Sequence, residues 1–173
     1  LVVAALIAAG SMVRSQSPPG PIRIGFIVPL SGPVAQNGRD ILNGFLLALD
    51  EIGYRAGGRE IQIIVEDDEG IPAVGLTKAR KLVESDRVHL MAGALLASTG
   101  YALAPYIDSM QIPMVYPVVS ADDLTQRRRS KWIVRTGWTS SQPNHPFGEY
   151  AYHTLGHRRI ATILTDCKAI LGI

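Results

Sequence analysis

Residues 22–30, IRIGFIVPL, are a nearly unbroken apolar run rich in β-branched side chains, and Ser31-Gly32-Pro33 ends it. A run of this kind reads as a strand covered on both faces, which is the environment of a parallel sheet. Downstream, residues 36–52 place Ile41, Leu42, Phe45, Leu46, Ala48, Leu49 and Ile52 at helical spacing, and three glycines at 53, 57 and 58 end that helix. A second strand, EIQIIVED, is expected over 60–67, followed by a helix over 72–85 with Pro72 suited to its first turn. The pattern then repeats. Strand 88–96 (VHLMAGALL) leads into helix 98–110, and strand 113–119 (PMVYPVV) is short or peripheral because it holds two prolines. A fifth strand is expected at 131–135, a helix at 143–155 capped by Ser140 or Ser141, and a last strand at 159–165. Strands alternating with helices imply right-handed βαβ units and an α/β fold, a doubly wound parallel sheet.

Composition agrees with a globular chain: 173 residues, 47% hydrophobic and 18% charged, with a formal charge of +2. So small a charge gives no reason to expect nucleic acid or a membrane surface as partner. The basic run Arg127-Arg128-Arg129-Ser130-Lys131 reads as a solvated loop. The single cysteine, Cys167, excludes an intrachain disulfide and reads as an apolar filler. The opening residues are more informative about compartment. Leu1 to Ala9, LVVAALIAA, is far shorter than the roughly 20 residues that span a bilayer, and small residues come after it. It matches the apolar part of a secretory signal. With the linker SQSPPGP behind it, residues 1–21 are expected to lie outside the fold. At the other end, 159–165 opens a βα unit that 166–173 cannot complete, so the chain is expected to be a fragment.

In open α/β sheets ligands bind beyond the carboxyl ends of the strands. Three such ends carry small, hydroxylated turns that run into helix starts: Ser31-Gly32-Pro33, Ala97-Ser98-Thr99-Gly100 and Ser120-Ala121-Asp122-Asp123. Helix starts present free N–H groups and partial positive charge, which suits a carboxylate. Enzyme signatures are absent: no G-x-S-x-G, no phosphate loop and no G-x-G-x-x-G after a strand. His153 and His157 stand four apart, but Gly156 between them favours a surface pair over two metal ligands. His89 reads as a structural residue within an apolar strand. The acids from Glu66 to Glu69 read as solvated strand-end groups, with a cation site as the lesser alternative.

The motif set resembles the periplasmic branched-chain amino-acid-binding proteins, whose fold is the type I periplasmic binding protein fold. The resemblance is carried by IGFIVPLSGPVAQNG, VEDDEG, GALLAST, IPMVYPVVSADDLTQ and VRTGWTSSQ, together covering 22–166. It implies two Rossmann-like lobes joined by three crossovers and closing on ligand. Residues 22–137 would be the first lobe and 138–173 the truncated start of the second. It implies a ligand carboxylate held by Ala97 and Ser98, with Thr99 beside them, and by the backbone of Val118 and the hydroxyl of Ser120. Ser31 and Asn37 would complete the site. It implies no cofactor and no catalysis, a periplasmic location, and a membrane permease of an ABC importer as partner. The sequence departs from the family pattern at several of these positions. Ala97 stands where members often have serine, Asn37 where an aromatic often lies, and Tyr116 and Val118 where residues are smaller. These changes weigh against leucine or isoleucine and leave other small acids, aromatic ones included. Two other readings stay open at this point. One is a sensing domain of the same fold; the other is an α/β enzyme whose catalytic residues lie elsewhere.

Overall fold

The computed structural model describes residues 20–161. Residues 1–19 of the leader and linker expected at 1–21, the end of the last expected strand and Cys167 fall outside them. Residues 159–161 carry no strand.

Six strands form one sheet: β1 (Ile22–Val28), β2 (Arg55–Ala56), β3 (Arg59–Asp67), β4 (Leu90–Gly93), β5 (Met114–Tyr116) and β6 (Ile133–Arg135). Their order is β2-β3-β1-β4-β5-β6. Apart from β2 every pairing is parallel, with Phe26 opposite Val65 on one side of β1 and opposite Ala92 on the other. Helices α1 (Ala35–Glu51), α2 (Pro72–Arg80) and α3 (Ala97–Met110) make the crossovers, and α4 (Asn144–Glu149) comes after β6. The chain steps from β1 out to β3, then returns past β1 to β4 and on to β5. The order therefore reverses between β1 and β4, where doubly wound sheets open a crevice.

Alternation along the strands sorts the core into two layers. Ile27, Met91, Met114, Tyr116 and Ile133 point to the side of α2 and α3 and pack with Leu82, Leu103 and Ile107. Leu82 and Leu103 are fully buried there, so truncating either to alanine removes about 2–5 kcal/mol of stability. Ile24, Phe26, Val28 and Ile61 point to the other side, under α1. Phe26 stacks on Phe45 of α1 with ring centroids 4.7 Å apart. α1 covers only part of this second face. Leu90 and Val115 are partly exposed there, and Val134 is exposed.

The structure departs from the sequence reading in four places. Residues 53–58 do more than end α1. Gly57 and Gly58, both at positive φ, make a two-residue turn that pairs β2 antiparallel with the start of β3. Strands β4 and β5 are shorter than their apolar runs, because the chain bends out into the rim turns, and β6 starts two residues late, after a turn at 131–132. His89 sits exposed at the entrance to β4, where its Nδ1 accepts the Arg23 N–H at 3.0 Å. Neither Ser140 nor Ser141 caps α4 through its side chain; the cap position is Pro143. The Ser141 hydroxyl donates instead to Asp122.

Among the described residues no helix is long and apolar enough to cross a membrane. Exposed positions dominate 142–161, where Ala151 alone is buried.

Candidate functional site

The turns after β1, β4 and β5 leave three adjacent strands at their carboxyl ends, so the strand order brings Ser31, the Ala97–Thr99 segment, Val118 and Ser120 to one edge. The turns differ in how much of their polar capacity is already used.

The turn after β1 is satisfied internally by Asp67, at the end of β3. Its Oδ1 accepts the N–H groups of Leu30 and Glu69, each at 2.8 Å. Partial burial alone would push the Asp67 carboxyl up. The hydrogen bonds from Leu30, Ser31 and Glu69 outweigh that and hold it below the usual carboxylate range. Ser31 itself is exposed. Asn37, also exposed, lies in the first turn of α1, one helical step from Asp40 and Ile41.

The turn after β4 is built differently. Gly93, at φ +104°, ends the strand against β1; a Cβ there would lie 2.1 Å from the Ile27 carbonyl oxygen, so no other residue fits. The chain then turns through Ala94 into α3, whose cap residue is Leu96 and whose start has no side-chain cap. The first helical bond runs from Gly100 N–H to Leu96 O at 3.0 Å. The amides of Ala97, Ser98 and Thr99 precede it and have no acceptor within the helix. Ala97 and Ser98 are partly exposed, and the Thr99 side chain is fully buried.

The turn after β5 packs directly on α3, since a Cβ on Gly100 would meet Val119 at 2.6 Å. Tyr116, which by the resemblance stands where family members have a smaller residue, points beneath α3. It is 1% exposed, and its hydroxyl donates to the Gly100 carbonyl at 3.2 Å. Val118 is exposed. Ser120 accepts a hydrogen bond from the Ser140 hydroxyl at 3.0 Å, and its carbonyl accepts the Ser140 N–H at 2.8 Å. Its own hydroxyl proton is left to donate. Arg135 braces this turn through Ala121 O at 2.6 Å and through Thr125.

Two features of this edge were not legible from residue types. One is a hollow of about 50 Å³ lined by Pro117, Val118, Gly137 and Trp138, with Trp138 69% exposed beside it. Only the fold brings the segments after β5 and β6 together; a Cβ on Gly137 would lie 2.4 Å from Pro117 O. The other is the role of the acids at 66–69, read as solvated and found largely engaged. Glu66 pairs with Lys78 and Lys81 at 2.8 and 2.6 Å, Asp67 organises the β1 turn, and Asp68 is 1% exposed. Among the described residues no group of three metal-ligating side chains occurs.

A cavity of about 380 Å³ runs from Pro117 and Val118 of this edge along the sheet face that α1 leaves open. Ile24, Phe26, Leu90, Ala92 and Val115 line it, and Asp40 is its one charged group. It offers an anion little beyond Thr136, so its size does not make it the carboxylate site.

Comparison with known proteins bears on this geometry. A family model described as periplasmic binding protein matches residues 21–169. The Leu/Ile/Val-binding protein BraC3 of Rhizobium johnstonii is 30% identical over 144 residues, covering 82% of this chain and 39% of that protein. Among solved structures, an ABC transporter substrate-binding protein from Sphaerobacter thermophilus is 40% identical with a TM-score of 0.74; the match covers 80% of this chain and 38% of that one. A solute-binding protein of an ABC transporter from Rhodopseudomonas palustris, solved with 3,4-dihydroxybenzoic acid, is 30% identical with a TM-score of 0.72, covering 76% and 36%. The chain thus spans about two fifths of the length of these relatives. With the doubly wound sheet and its open edge between β1 and β4, the match over nearly all the described residues shows that this chain belongs to the periplasmic binding protein family.

Proposed function

We propose that the complete protein is the extracytoplasmic solute-binding component of an ABC importer, which captures one small carboxylate without transforming it and delivers it to a membrane permease. The observation that carries this reading is the start of α3. A fourteen-residue helix opens at the reversal of strand order with no side-chain cap, beside a serine whose hydroxyl keeps its proton. A carboxylate seated there would take the amides of Ala97 and Ser98, the backbone of Val118 and the hydroxyl of Ser120. Ser31, Asn37 and Thr99 border that place. Residues 22–137 would be the first lobe and 138–173 the start of a second, which fits the exposure of α4 and of most positions from 150 to 161. The apolar leader supports export to the periplasm.

Ligand class is set by the rim. Asn37 offers a polar wall, while Val118 and the exposed Trp138 offer an apolar and aromatic one. That combination suits a flat acid with a polar substituent at least as well as a branched aliphatic amino acid. The likeness to a protein solved with 3,4-dihydroxybenzoic acid supports the same class.

Calorimetry on the protein expressed from its full coding sequence tests the reading. The panel is leucine, isoleucine, valine, benzoate, 4-hydroxybenzoate and 3,4-dihydroxybenzoate. Saturable one-to-one binding of a carboxylate, with the compound recovered unchanged, is the expected result. Failure of every carboxylate to bind ends the assignment, and recovery of a product replaces it with an enzyme.

A further inference from the structure

Among the described residues, two buried side-chain atoms have no hydrogen-bond partner: Asp68 Oδ2 and Thr99 Oγ1. Buried polar atoms are nearly always paired, so each asks for a reason. They belong to different elements, Asp68 just beyond β3 and Thr99 in the first turn of α3, and they meet at Gly75 of α2. A Cβ on Gly75 would lie 2.9 Å from Thr99 Cγ2, 3.4 Å from Asp68 Cβ and 3.9 Å from Asp68 Oδ2. Glycine there lets α2 close over both residues at once.

Asp68 is fixed by its other polar atoms. Oδ1 accepts the Gly70 N–H at 2.9 Å, the Asp68 N–H donates to Val28 O at 3.3 Å, and the Asp68 carbonyl accepts the Ile71 N–H at 2.8 Å. Only Oδ2 is spare, and a buried carboxylate oxygen without a donor is costly. The neighbouring Thr99 hydroxyl can supply one. At present the threonine turns its methyl toward Gly75. Helical threonine occupies two χ1 wells, and one staggered step brings the hydroxyl to the place the methyl now holds. We propose that the Thr99 hydroxyl donates to Asp68 Oδ2, and that this buried tie makes Asp68 and Thr99 positioning residues for the first turn of α3. Its consequence for ligand rests on the carboxylate reading above, since that turn carries the Ala97 and Ser98 amides; the tie itself does not.

The electrostatics agree. Burial pushes the Asp68 carboxyl above its usual value, the Gly70 N–H opposes this, and the Asp67 charge adds to it. α2 and α3 bring no charge to it; they present Gly75 and Thr99. A lost hydroxyl donor would push the carboxyl further up.

The test uses the protein from its full coding sequence, with Thr99→Val, Thr99→Ala and Thr99→Ser. The Asp68 carboxyl is titrated by ¹³C NMR, and hydrogen exchange is followed at the Gly100 amide. Loss of the hydroxyl in Thr99→Val is expected to raise the Asp68 midpoint by about one pH unit. Exchange at Gly100 should quicken roughly fivefold, and Thr99→Ser should restore both. Thr99→Ala serves the same purpose where the second methyl of valine crowds Gly75. An unmoved midpoint in the hydroxyl-free variants overturns the tie, and a moved midpoint with unchanged Gly100 exchange overturns the positioning role. Neither readout needs a ligand. If no form binds benzoate or leucine while both readouts move as stated, the tie stands and the carboxylate reading falls.

Discussion

The turns after β1 and β4 face each other across the reversal of strand order, yet they have opposite chemistry. The first is a closed circuit. Asp67 takes the N–H groups of Leu30 and Glu69, so the turn supplies its own anion. The second has no resident anion, and α3 begins with amides that no side chain caps. A helix start that a side chain satisfies is structural, whereas one left open has its partial positive charge available to an outside carboxylate. On the reading proposed above, the β1 turn serves stability and the α3 turn would serve ligand affinity.

The strongest way to break that division is to give the α3 turn the anion it lacks. Ser98→Asp places a carboxylate at the helix start, where it stabilises the fold by about 0.3–1 kcal/mol. It should weaken binding of the best carboxylate at least a hundredfold, about 3 kcal/mol, by occupying and repelling its place. Urea denaturation and calorimetry on the same variant read the two effects, which must move in opposite directions. The converse change is Asp67→Ala. It strands the Leu30 and Glu69 N–H groups and should lower stability by about 2–4 kcal/mol in urea. Any carboxylate still bound by the folded fraction should keep nearly its full affinity. Ser120→Ala comes next. It should weaken binding by about 1–3 kcal/mol by calorimetry, and Ser140→Ala by less, because Ser140 reaches the site only through Ser120.

The acids 67 and 68 give the comparison a pH dependence of opposite sign. The Asp67 carboxyl is held low in the folded state. Its contribution is therefore present above its unfolded value near 3.9 and lost as pH falls through the depressed folded value. The Asp68 carboxyl is raised, so its contribution is present below that unfolded value and lost as pH rises through the folded one. Asp67→Asn should flatten the acid limb of stability against pH, and Asp68→Asn should flatten the limb above it. The smallest expected effect is Glu66→Gln. It breaks the pairs with Lys78 and Lys81 but leaves both lysines well solvated, and should cost about 0.5–1 kcal/mol, less at high salt.

Legibility in the sequence divides along the same line. The run at 22–30 and the helical spacing over 36–52 report burial, a property of each element alone, and both elements formed almost where their patterns lie. The hydroxylated turns were legible as turns for the same reason. Which of them is already satisfied was not, because Asp67 is the last residue of β3 and reaches across to the turn after β1. Tyr116 shows the same limit. Its size was read as weighing against leucine or isoleucine, but its place in the strand's alternation sends it under α3 to the Gly100 carbonyl. Trp138 and Pro117 meet only because β5 and β6 are paired. Gly57 and Gly58 lay in plain view as a helix stop, and their second role needed β3 as partner.

The most direct test of the open α3 turn is amide NMR on the protein from its full coding sequence, titrated with the tightest carboxylate of the panel. The largest ¹⁵N and ¹H shifts are expected at Ala97, Ser98 and Thr99, with smaller ones from Val118 to Ser120. Leu30 and Ser31 should move little, because Asp67 already holds the Leu30 amide and fills that turn with its own carboxylate. Largest shifts at Leu30 and Ser31, with Ala97 to Thr99 unmoved at saturation, would contradict the division of roles between the two turns.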